Sequence, residues 1–317
     1  MHFSPAPMHI PDGFLSVLVS IIFWIISIVV IGFALKNLNK ELGERKIPLM
    51  GILAAAIFAG QMLNFSVTGG TSGHLLGAAL ATILLGPWPA VIVMTAVVST
   101  QAIIFQDGGI LALGANLFNM AVLGVAVSYA VYRLFQMIAK GKTWGIFAGS
   151  VAAAWLSIFT ASLSCAIMLA LSGTSPANIA IPAMGAIHAL IGVGEGLITL
   201  GAVSFLYATR KDLFDLAPES TTSARPILVG GGILTLALAI LSPLASSHPD
   251  GLEWVAEEHG FLSAAQNAMY HIIPDYVMPG IADERFATIV AGIIGSMLVF
   301  TIAFFTARSR KQRKAVS

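Results

Sequence analysis

Cysteine, charged residues and nucleotide-binding motifs are all scarce in this sequence. Cys165 is the single cysteine among 317 residues and lies in an apolar segment, which excludes an intramolecular disulfide framework and a cluster of thiolate ligands. Charged residues make up 10% of the chain and hydrophobic residues 57%, a balance that excludes an ordinary soluble domain. The motifs Gly-x-x-x-x-Gly-Lys-Ser/Thr, Gly-x-Ser-x-Gly and His-Glu-x-x-His do not occur. The sequence therefore predicts a membrane protein with no Walker-type ATP site and no familiar hydrolase motif.

Apolar runs suited to membrane helices recur along the chain. A helix of about 20 residues crosses the hydrocarbon core, and nine runs approach that length, so we predict an all-α polytopic membrane helix bundle. The third run is short, and Gly86–Pro89 separates it from the fourth, so these two form either a tight helix pair or a partial span. A composition change near Thr221 predicts a seven-span core over 1–220 and a two-span addition over 221–317 with an outer loop at 246–285. The runs are 14–35, 47–65, 74–86, 88–106, 112–138, 144–172, 179–207, 227–246 and 287–307.

Basic residues cluster in alternate connections between these runs. Because Lys and Arg near span ends are retained in the cytoplasm, this pattern predicts an N-terminus outside and a C-terminus in the cytoplasm. With nine spans only Arg285 lies on the outer side. The outer loops are acidic, which either concentrates cations or merely reflects the inward sorting of basic residues. The inward cluster comprises Lys36, Lys40, Arg45, Lys46, Arg133, Lys140, Lys142, Arg210, Lys211, Arg225, Arg308, Arg310, Lys311, Arg313 and Lys314.

The stretch Met8–Ser16 contains the strongest metal-binding signal. If Met8 is the first residue of the mature chain, its amine, the amide nitrogen of His9 and the His9 imidazole can enclose one ion in fused chelate rings. His74, which follows a glycine-rich turn on the same side of the membrane, is the candidate fourth ligand. Nitrogen-rich tetragonal sites suit Ni(II) and Cu(II) and select against hard Mg(II) and Ca(II). If Met1 is the true start, Met1-His2 could form the same kind of chelate, but the seven additional residues before Met8 would then have to be accommodated near the site.

Uncharged polar residues near the span ends are candidates for orienting these ligands. Asn64, Gln101, Asn116 and Asn119 could do so through hydrogen bonds, with bonding between helices as an equal alternative. Asp107 could hold an imidazole N–H or cap the following helix.

A second pair of polar residues lies within a single predicted span. His188 is a further site candidate and lies seven residues before Glu195, on the same helical face. These two could form a polar pair or proton path, although buried structural hydrogen bonds are the more common role.

Several motifs resemble the substrate-binding membrane component of energy-coupling-factor (ECF) nickel and cobalt uptake transporters. The resemblance covers residues 8 to about 207, and a further stretch is similar to the auxiliary two-span component of these systems, fused here at the C-terminus. In that family the motif begins at the initiator Met, so the leader Met1–Pro7 is a departure, and we favour a start at Met8. The matching stretches are Met8–Phe14, Asn64-Phe65 with Gly69–Leu76, Phe105–Gly109 with Gly114–Asn116 and Asn119-Met120, His188–Gly192, and Pro249–Glu253.

The resemblance implies a function and a set of partners. It implies nickel or cobalt as transported substrate, bound by Met8, His9 and His74, and a multi-pass location in a prokaryotic cell membrane. It also implies a transmembrane coupling protein and a pair of cytoplasmic ATPases as partners, so that this chain is not itself an enzyme. We lean to nickel because of the square nitrogen set. The competing hypotheses are a self-sufficient channel or secondary transporter, for which Glu195 is the only acid deep in a span, and an intramembrane metalloenzyme, which would need an open metal position.

Overall fold

A computed structural model describes residues 8–41, 46–214 and 225–316, and within these ranges most of the chain is helical. The predicted domain join near Thr221 and the alternative chelate Met1-His2 both lie outside the described residues. The helices are α1 (Val17–Glu41), α2 (Lys46–Gln61), α3 (Ala78–Leu85), α4 (Pro87–Ile104), α5 (Leu113–Leu117), α6 (Gly124–Ala139), α7 (Trp144–Leu171), α8 (Ala177–Thr209), α9 (Arg225–Leu241), α10 (Gly251–Glu258) and α11 (Glu284–Val316).

Seven helical stretches within the described residues are long and apolar enough to cross a membrane. One of them joins α5 to α6 through a π-helical segment, Phe118–Leu123, to give a continuous stretch from Leu113 to Ala139. The shorter apolar helix α2 has 16 residues. The prediction of an all-α polytopic membrane protein is confirmed, and the third predicted run contains only the eight residues of α3.

The helices pack around small residues, as helices in lipid do because tight packing replaces the hydrophobic driving force. The faces that meet inside the bundle are rich in alanine, and Ala54, Ala55 and Ala59 of α2 are all buried. Helix α2 packs against α4, α9 and α11, while α6, α7 and α8 pack in sequence order. Large apolar side chains such as Leu18 and Ile25 of α1 remain exposed on the outside of the bundle, where they suit contact with lipid.

The nine residues before α1 form an extended strap (residues 8–16) that is largely buried. Met8, His9, Ile10 and Phe14 are each less than a tenth exposed. The strap lies against the loop between α4 and α5 (residues 105–112, the 105–112 loop), and its Phe14 carbonyl accepts a hydrogen bond from the Thr174 hydroxyl. The strap is therefore packed as part of the bundle.

A short antiparallel hairpin carries the second histidine. Strands β1 (Phe65–Val67) and β2 (Thr71–Gly73) pair with Val67 opposite Thr71. His74 follows β2, and α3 begins at Ala78, after Gly77 takes up a left-handed conformation (φ 81°). The apolar run predicted from residue 74 thus starts with four non-helical residues that turn back into the bundle.

The last third of the chain folds back onto the rest. Residues 225–316 (the C-terminal unit) contribute α9 and α11, which pack against α2, and a connecting segment (residues 242–283) that contains α10. The connecting segment bonds to the strap, the hairpin and the 105–112 loop. All four therefore lie at the same end of the bundle.

Candidate metal centre

Three nitrogens at the start of the strap surround one carboxylate oxygen. The main-chain nitrogens of Met8 and His9 lie 2.8 and 3.2 Å from Oδ1 of Asp107. His9 Nδ1 lies 3.2 Å from the same oxygen and 3.2 Å from the main-chain oxygen of Asp107. These are the three nitrogens of the chelate predicted from the sequence, and they converge on a single buried point.

Two further side chains fix the strap to the 105–112 loop and α5. Asn116 accepts a hydrogen bond from Ile10 N at 3.0 Å and donates one to Ile10 O at 3.1 Å. The Asp12 carboxylate accepts hydrogen bonds from Ile110 N and Ala112 N, both at 3.0 Å. Asp12 thus serves the N-terminal end of α5, so the capping role considered for Asp107 is wrong.

Close contact between strap and loop requires a glycine at position 109. A Cβ atom there would lie 2.0 Å from Asp12 Oδ1 and 2.2 Å from Asp12 N. The nitrogen of Gly109 also donates to Ile10 O at 3.0 Å. The sequence Asp107-Gly108-Gly109 therefore brings a carboxylate and a side-chain-free backbone to the same stretch of the strap.

Asp107 is held in its ionised form. Burial alone would raise its pKa, but the nearby His9 ring, the Tyr276 hydroxyl and the Met8 N–H outweigh burial and lower the pKa to about 2. Tyr276 Oη donates to Asp107 Oδ2 at 2.6 Å, so both carboxylate oxygens are engaged. A buried, fully bonded negative charge at this point favours a cation among the surrounding nitrogens.

His74 faces His9 across the site. The two ring centroids are 5.8 Å apart and the rings meet edge to face at 80°. Nδ1 of His74 lies 3.0 Å from Asp250 Oδ1. Burial lowers the pKa of His74, but the Asp250 carboxylate more than compensates, so the pKa is raised. The ring is thus oriented by a carboxylate of the C-terminal unit.

A small cavity of about 70 Å³ lies beside the two histidines. His9 Nε2 is buried and has no hydrogen-bond partner. Among the described residues no group of three or more His, Cys, Asp or Glu side chains is placed to hold a metal ion. The cavity is lined by Met8, His9, Ile10, His74, Leu76, Asn116, Asn119, Met120, Ile158, Ala161, Ser162, Cys165, Met184, His188, Ile191, Asp250 and Leu252.

The polar residues predicted to orient the ligands divide into two groups. Asp107 and Asn116 contact the strap directly, and Asn119 lines the cavity, where its Nδ2 lies 3.6 Å from the Met168 sulfur. Gln101 is buried near Tyr276, and its main-chain oxygen accepts from Asp107 N at 3.1 Å. Asn64 is buried at the base of the hairpin, where its carbonyl accepts from Ser246 N at 2.8 Å.

His188 and Glu195 have separate partners and do not pair. His188 lines the cavity, with Nδ1 2.9 Å from Met184 O in the preceding helical turn. Glu195 accepts hydrogen bonds from Leu76 N at 2.7 Å and Gly77 N at 3.1 Å. The two residues on one helical face therefore act apart: Glu195 fixes the main chain just after His74, and His188 borders the cavity.

Two residues at the site, Asp250 and Tyr276, were not predicted from the sequence. Asp250 belongs to the Pro249–Glu253 stretch whose resemblance to an auxiliary component was recognised, but nothing local linked it to His74, 176 residues away. Tyr276 is 169 residues from Asp107 and carries no motif. Contacts at such separations leave no spacing pattern in one sequence.

Two protein-family models match the chain. Residues 9–213 match the family described as the cobalt uptake substrate-specific transmembrane region, CbiM. The chain belongs to this CbiM family. Residues 225–312 match a second family model, the PDGLE domain. The chain is thus a CbiM-type region followed by a PDGLE domain.

Relatives with the same two-part organisation are found in archaea and bacteria. A protein of Archaeoglobus fulgidus, provisionally named as a fused nickel transport protein NikMN, is 37% identical over 95% of this chain and 98% of its own length. The fused nickel transport protein NikMN of Rhodobacter capsulatus is 35% identical over 82% of this chain and 79% of its own. A crystal structure described as a truncated transition metal transporter is 36% identical, with a TM-score of 0.57 over 64% of this chain and 99% of that one. Similarity to the fused proteins extends through the C-terminal unit.

Proposed function

We propose that this chain is the metal-binding subunit of an ATP-driven importer and that it captures Ni(II) or Co(II) at the outer face of the cell membrane. The observation that supports this most directly is the convergence of Met8 N, His9 N and His9 Nδ1 on Asp107 Oδ1 at 2.8 to 3.2 Å. An ion that takes the place of this oxygen would have three nitrogens around it, which is most of a square site, and His74 would supply the fourth from across the cavity.

The chemistry of this donor set matches the proposed cargo. Met8 contributes an amine when it is the mature N-terminus, and His9 contributes its amide nitrogen and its ring. Loss of the amide proton gives a strong in-plane donor that Ni(II) and Cu(II) accept, while Mg(II) and Ca(II) require oxygen ligands. The Asp107 carboxylate, which bonds to the strap nitrogens, would compensate the cation's charge in a buried setting.

Nickel is the preferred cargo in this proposal. The relatives that carry both parts of the chain are named as nickel transport proteins, as in Rhodobacter capsulatus, where the match covers 82% of this chain. The cobalt transport protein CbiM of Sorangium cellulosum is 29% identical and matches 66% of this chain. The shared organisation therefore supports nickel, with cobalt as the alternative.

Energy for uptake comes from partners in this proposal. The sequence has no Walker motif. Glu195, the acid deep in a span, is engaged by two main-chain N–H groups and offers no acidic path for a self-sufficient transporter. We therefore assign a transmembrane coupling protein and two cytoplasmic ATPases as partners, with the strap end of the bundle outside and the C-terminus in the cytoplasm. Uptake into vesicles that lack those partners would contradict this assignment.

The central test is His74→Ala against a matched histidine variant. We expect His74→Ala to abolish high-affinity nickel binding by the purified full chain, because one ligand of four is lost. His259→Ala is the control, since His259 is exposed at the end of α10, and it should bind as the parent does. Equilibrium competition with a chromophoric chelator measures both. Unchanged affinity in folded His74→Ala would remove the proposed site, and the mass of the mature N-terminal peptide decides whether Met8 supplies an amine.

A further inference from the structure

The connecting segment of the C-terminal unit is attached to the hairpin by main-chain hydrogen bonds. Ser72 N donates to Pro249 O at 2.8 Å, and the Ser72 hydroxyl donates to His248 O at 2.9 Å. Ser246 N donates to Asn64 O at 2.8 Å. Residues 246–250 thus lie along the hairpin as an added strand-like segment, and their position relative to His74 is fixed by the backbone.

Asp250 is the last residue of this strand-like segment, and its carboxylate contacts both the His74 ring and the start of α10. Oδ1 lies 3.0 Å from His74 Nδ1, while the side chain also caps α10 by accepting from Leu252 N. The next residue must be small, because a Cβ at Gly251 would lie 2.9 Å from His188 Cε1. The start of α10 is therefore pressed against the cavity with the Asp250 carboxylate directed at the His74 ring.

A carboxylate bonded to one imidazole nitrogen has a well-understood effect on a metal ligand. It holds the proton on that nitrogen, fixes the tautomer and ring orientation, and makes the other nitrogen a better donor. With Nδ1 of His74 bonded to Asp250, Nε2 is the nitrogen left to bind a metal. Asp250 is buried, so its charge acts on the ring with little screening.

A second attachment joins the same connecting segment to the 105–112 loop. Ile273 N donates to Ile104 O at 3.0 Å, and Asp275 N donates to Phe105 O at 3.1 Å. Asp275 and Tyr276 both adopt positive φ angles, 52° and 58°. Such angles are unusual for residues other than glycine, asparagine and aspartate and persist where surrounding contacts enforce them.

The strained turn places the Tyr276 hydroxyl on Asp107. The ring is buried and stacks on Phe105, with centroids 4.9 Å apart and an interplanar angle of 15°. Its hydroxyl donates to Asp107 Oδ2 at 2.6 Å, which leaves Oδ1 for the three nitrogens of the strap. The first attachment therefore places Asp250 against His74, on the hairpin side of the site. The second places Tyr276 against Asp107, on the strap side.

We infer that the C-terminal unit completes the metal site, with Asp250 as the positioning residue for His74 and Tyr276 as the positioning residue for Asp107. This inference rests on the proposed function. It assigns to the PDGLE part of the chain a direct contribution to the geometry of metal binding, made through two named hydrogen bonds. Neither residue touches the metal, and both act through the groups that surround it.

The test compares two conservative variants in the full chain with two matched controls. Asp250→Asn keeps a good helix cap and removes the charge. Tyr276→Phe keeps the stacked ring and removes the hydroxyl. Glu258→Gln, at the exposed end of α10, and Tyr270→Phe, elsewhere in the connecting segment, are the controls. Nickel affinity, the ligand-field absorption bands of bound nickel and the thermal unfolding of the metal-free protein are measured for all four.

We expect each positioning variant to bind nickel about 10-fold more weakly, the low end of the range for such partners. The absorption bands should shift in both, because the orientation and donor strength of the nitrogens change. The unfolding temperature should fall in both, because each leaves a buried partner without its hydrogen bond, so the absorption bands decide. Both controls should match the parent throughout. A purely structural role would lower the unfolding temperature and leave the bands of bound nickel in place.

The outcomes separate this inference from the proposed function. If His74→Ala loses nickel while Asp250→Asn and Tyr276→Phe bind with parental affinity and bands, the inference is overturned and the proposed function stands. If His74→Ala also binds normally, the proposed function itself fails. If Asp250→Asn does not fold, Tyr276→Phe decides alone, since its ring still fills the same space against Phe105.

Discussion

The two halves of the candidate metal site are held in different ways. The strap is fixed largely by the CbiM-type core: Asn116 bonds to both polar atoms of Ile10, and Asp12 is anchored at Ile110 and Ala112. On the hairpin side, the core holds the main chain after His74 through Glu195, but Nδ1 of the imidazole is bonded to Asp250 of the C-terminal unit. The strap is therefore held by the CbiM-type core, whereas the His74 ring on the hairpin side is oriented by the C-terminal unit.

This difference has a physical consequence for the proposed metal site. A ligand oriented from a separate packing unit can lose its orientation when that unit shifts, while the chelate on the strap stays assembled. Four nitrogens around one ion require each donor to be in place together, and small displacements of one ligand weaken such sites strongly. Variants that break one half should therefore leave the other intact.

The largest effect should come from breaking the strap half with Gly109→Ala. The added methyl would overlap Asp12 at 2.0 to 2.2 Å, so the strap must leave the 105–112 loop. We expect nickel affinity to fall roughly 100-fold or more, because three of four donors move. Chelator competition on the purified protein measures this. Gly232→Ala on α9, where nothing lies within 4 Å, is the control, and parental binding by Gly109→Ala would show that the strap is not the chelating element.

A smaller effect is expected from Asn116→Ala. This change removes both hydrogen bonds to Ile10 and costs about 2 kcal/mol, or roughly 30-fold in nickel affinity. Asn119→Ala is the comparison, because the Asn119 side chain lies 3.6 Å from the Met168 sulfur and lines the cavity. It should change affinity less than about threefold. Equal losses in the two variants would mean that cavity shape, and not strap anchoring, sets the affinity.

The smallest effect, Ser72→Ala, sharpens the hairpin half of the comparison. The change removes the hydroxyl bonds to His248 O and Pro249 O but keeps the bond from Ser72 N to Pro249 O. We expect a two- to fivefold loss of nickel affinity, about 0.5 to 1 kcal/mol. Ser66→Ala, which removes an exposed bond to Ser246, should have no measurable effect. A loss as large as that of Asn116→Ala would mean that the Ser72 hydroxyl contributes more to holding the hairpin in position than its hydrogen bonds indicate.

The helical architecture was predictable because apolar runs of spanning length can be recognised directly in the sequence. The exact ends of the helices were harder to predict. The run predicted from residue 74 begins with non-helical chain, since Gly77 is left-handed and Glu195 engages the nitrogens of Leu76 and Gly77. A tertiary hydrogen bond from α8 therefore decides where α3 starts, and no window of local sequence contains that information.

The proximity of His9 and His74 was predicted from the expected topology, in which both precede apolar runs on the same side of the membrane. The partners of the site residues did not follow. Asn116 and Asn119 looked equivalent in sequence, yet Asn116 bonds to the strap and Asn119 faces the cavity. Asp250 and Tyr276 come from a part of the chain with a separate family signature. Which polar residue meets which ligand depends on helix rotation and on docking between the two parts.

The π-helical segment Phe118–Leu123 determines the direction of a side chain that lies outside it. A π turn holds one more residue than an α turn, and such turns often mark functional sites. If these six residues formed a regular α-helix instead, everything before them would be rotated by about 100° relative to α6. Asn116, two residues upstream, would then point away from Ile10. The direction of Asn116, which holds the strap through Ile10, therefore depends on the wide π-helical turn in an apolar part of the span.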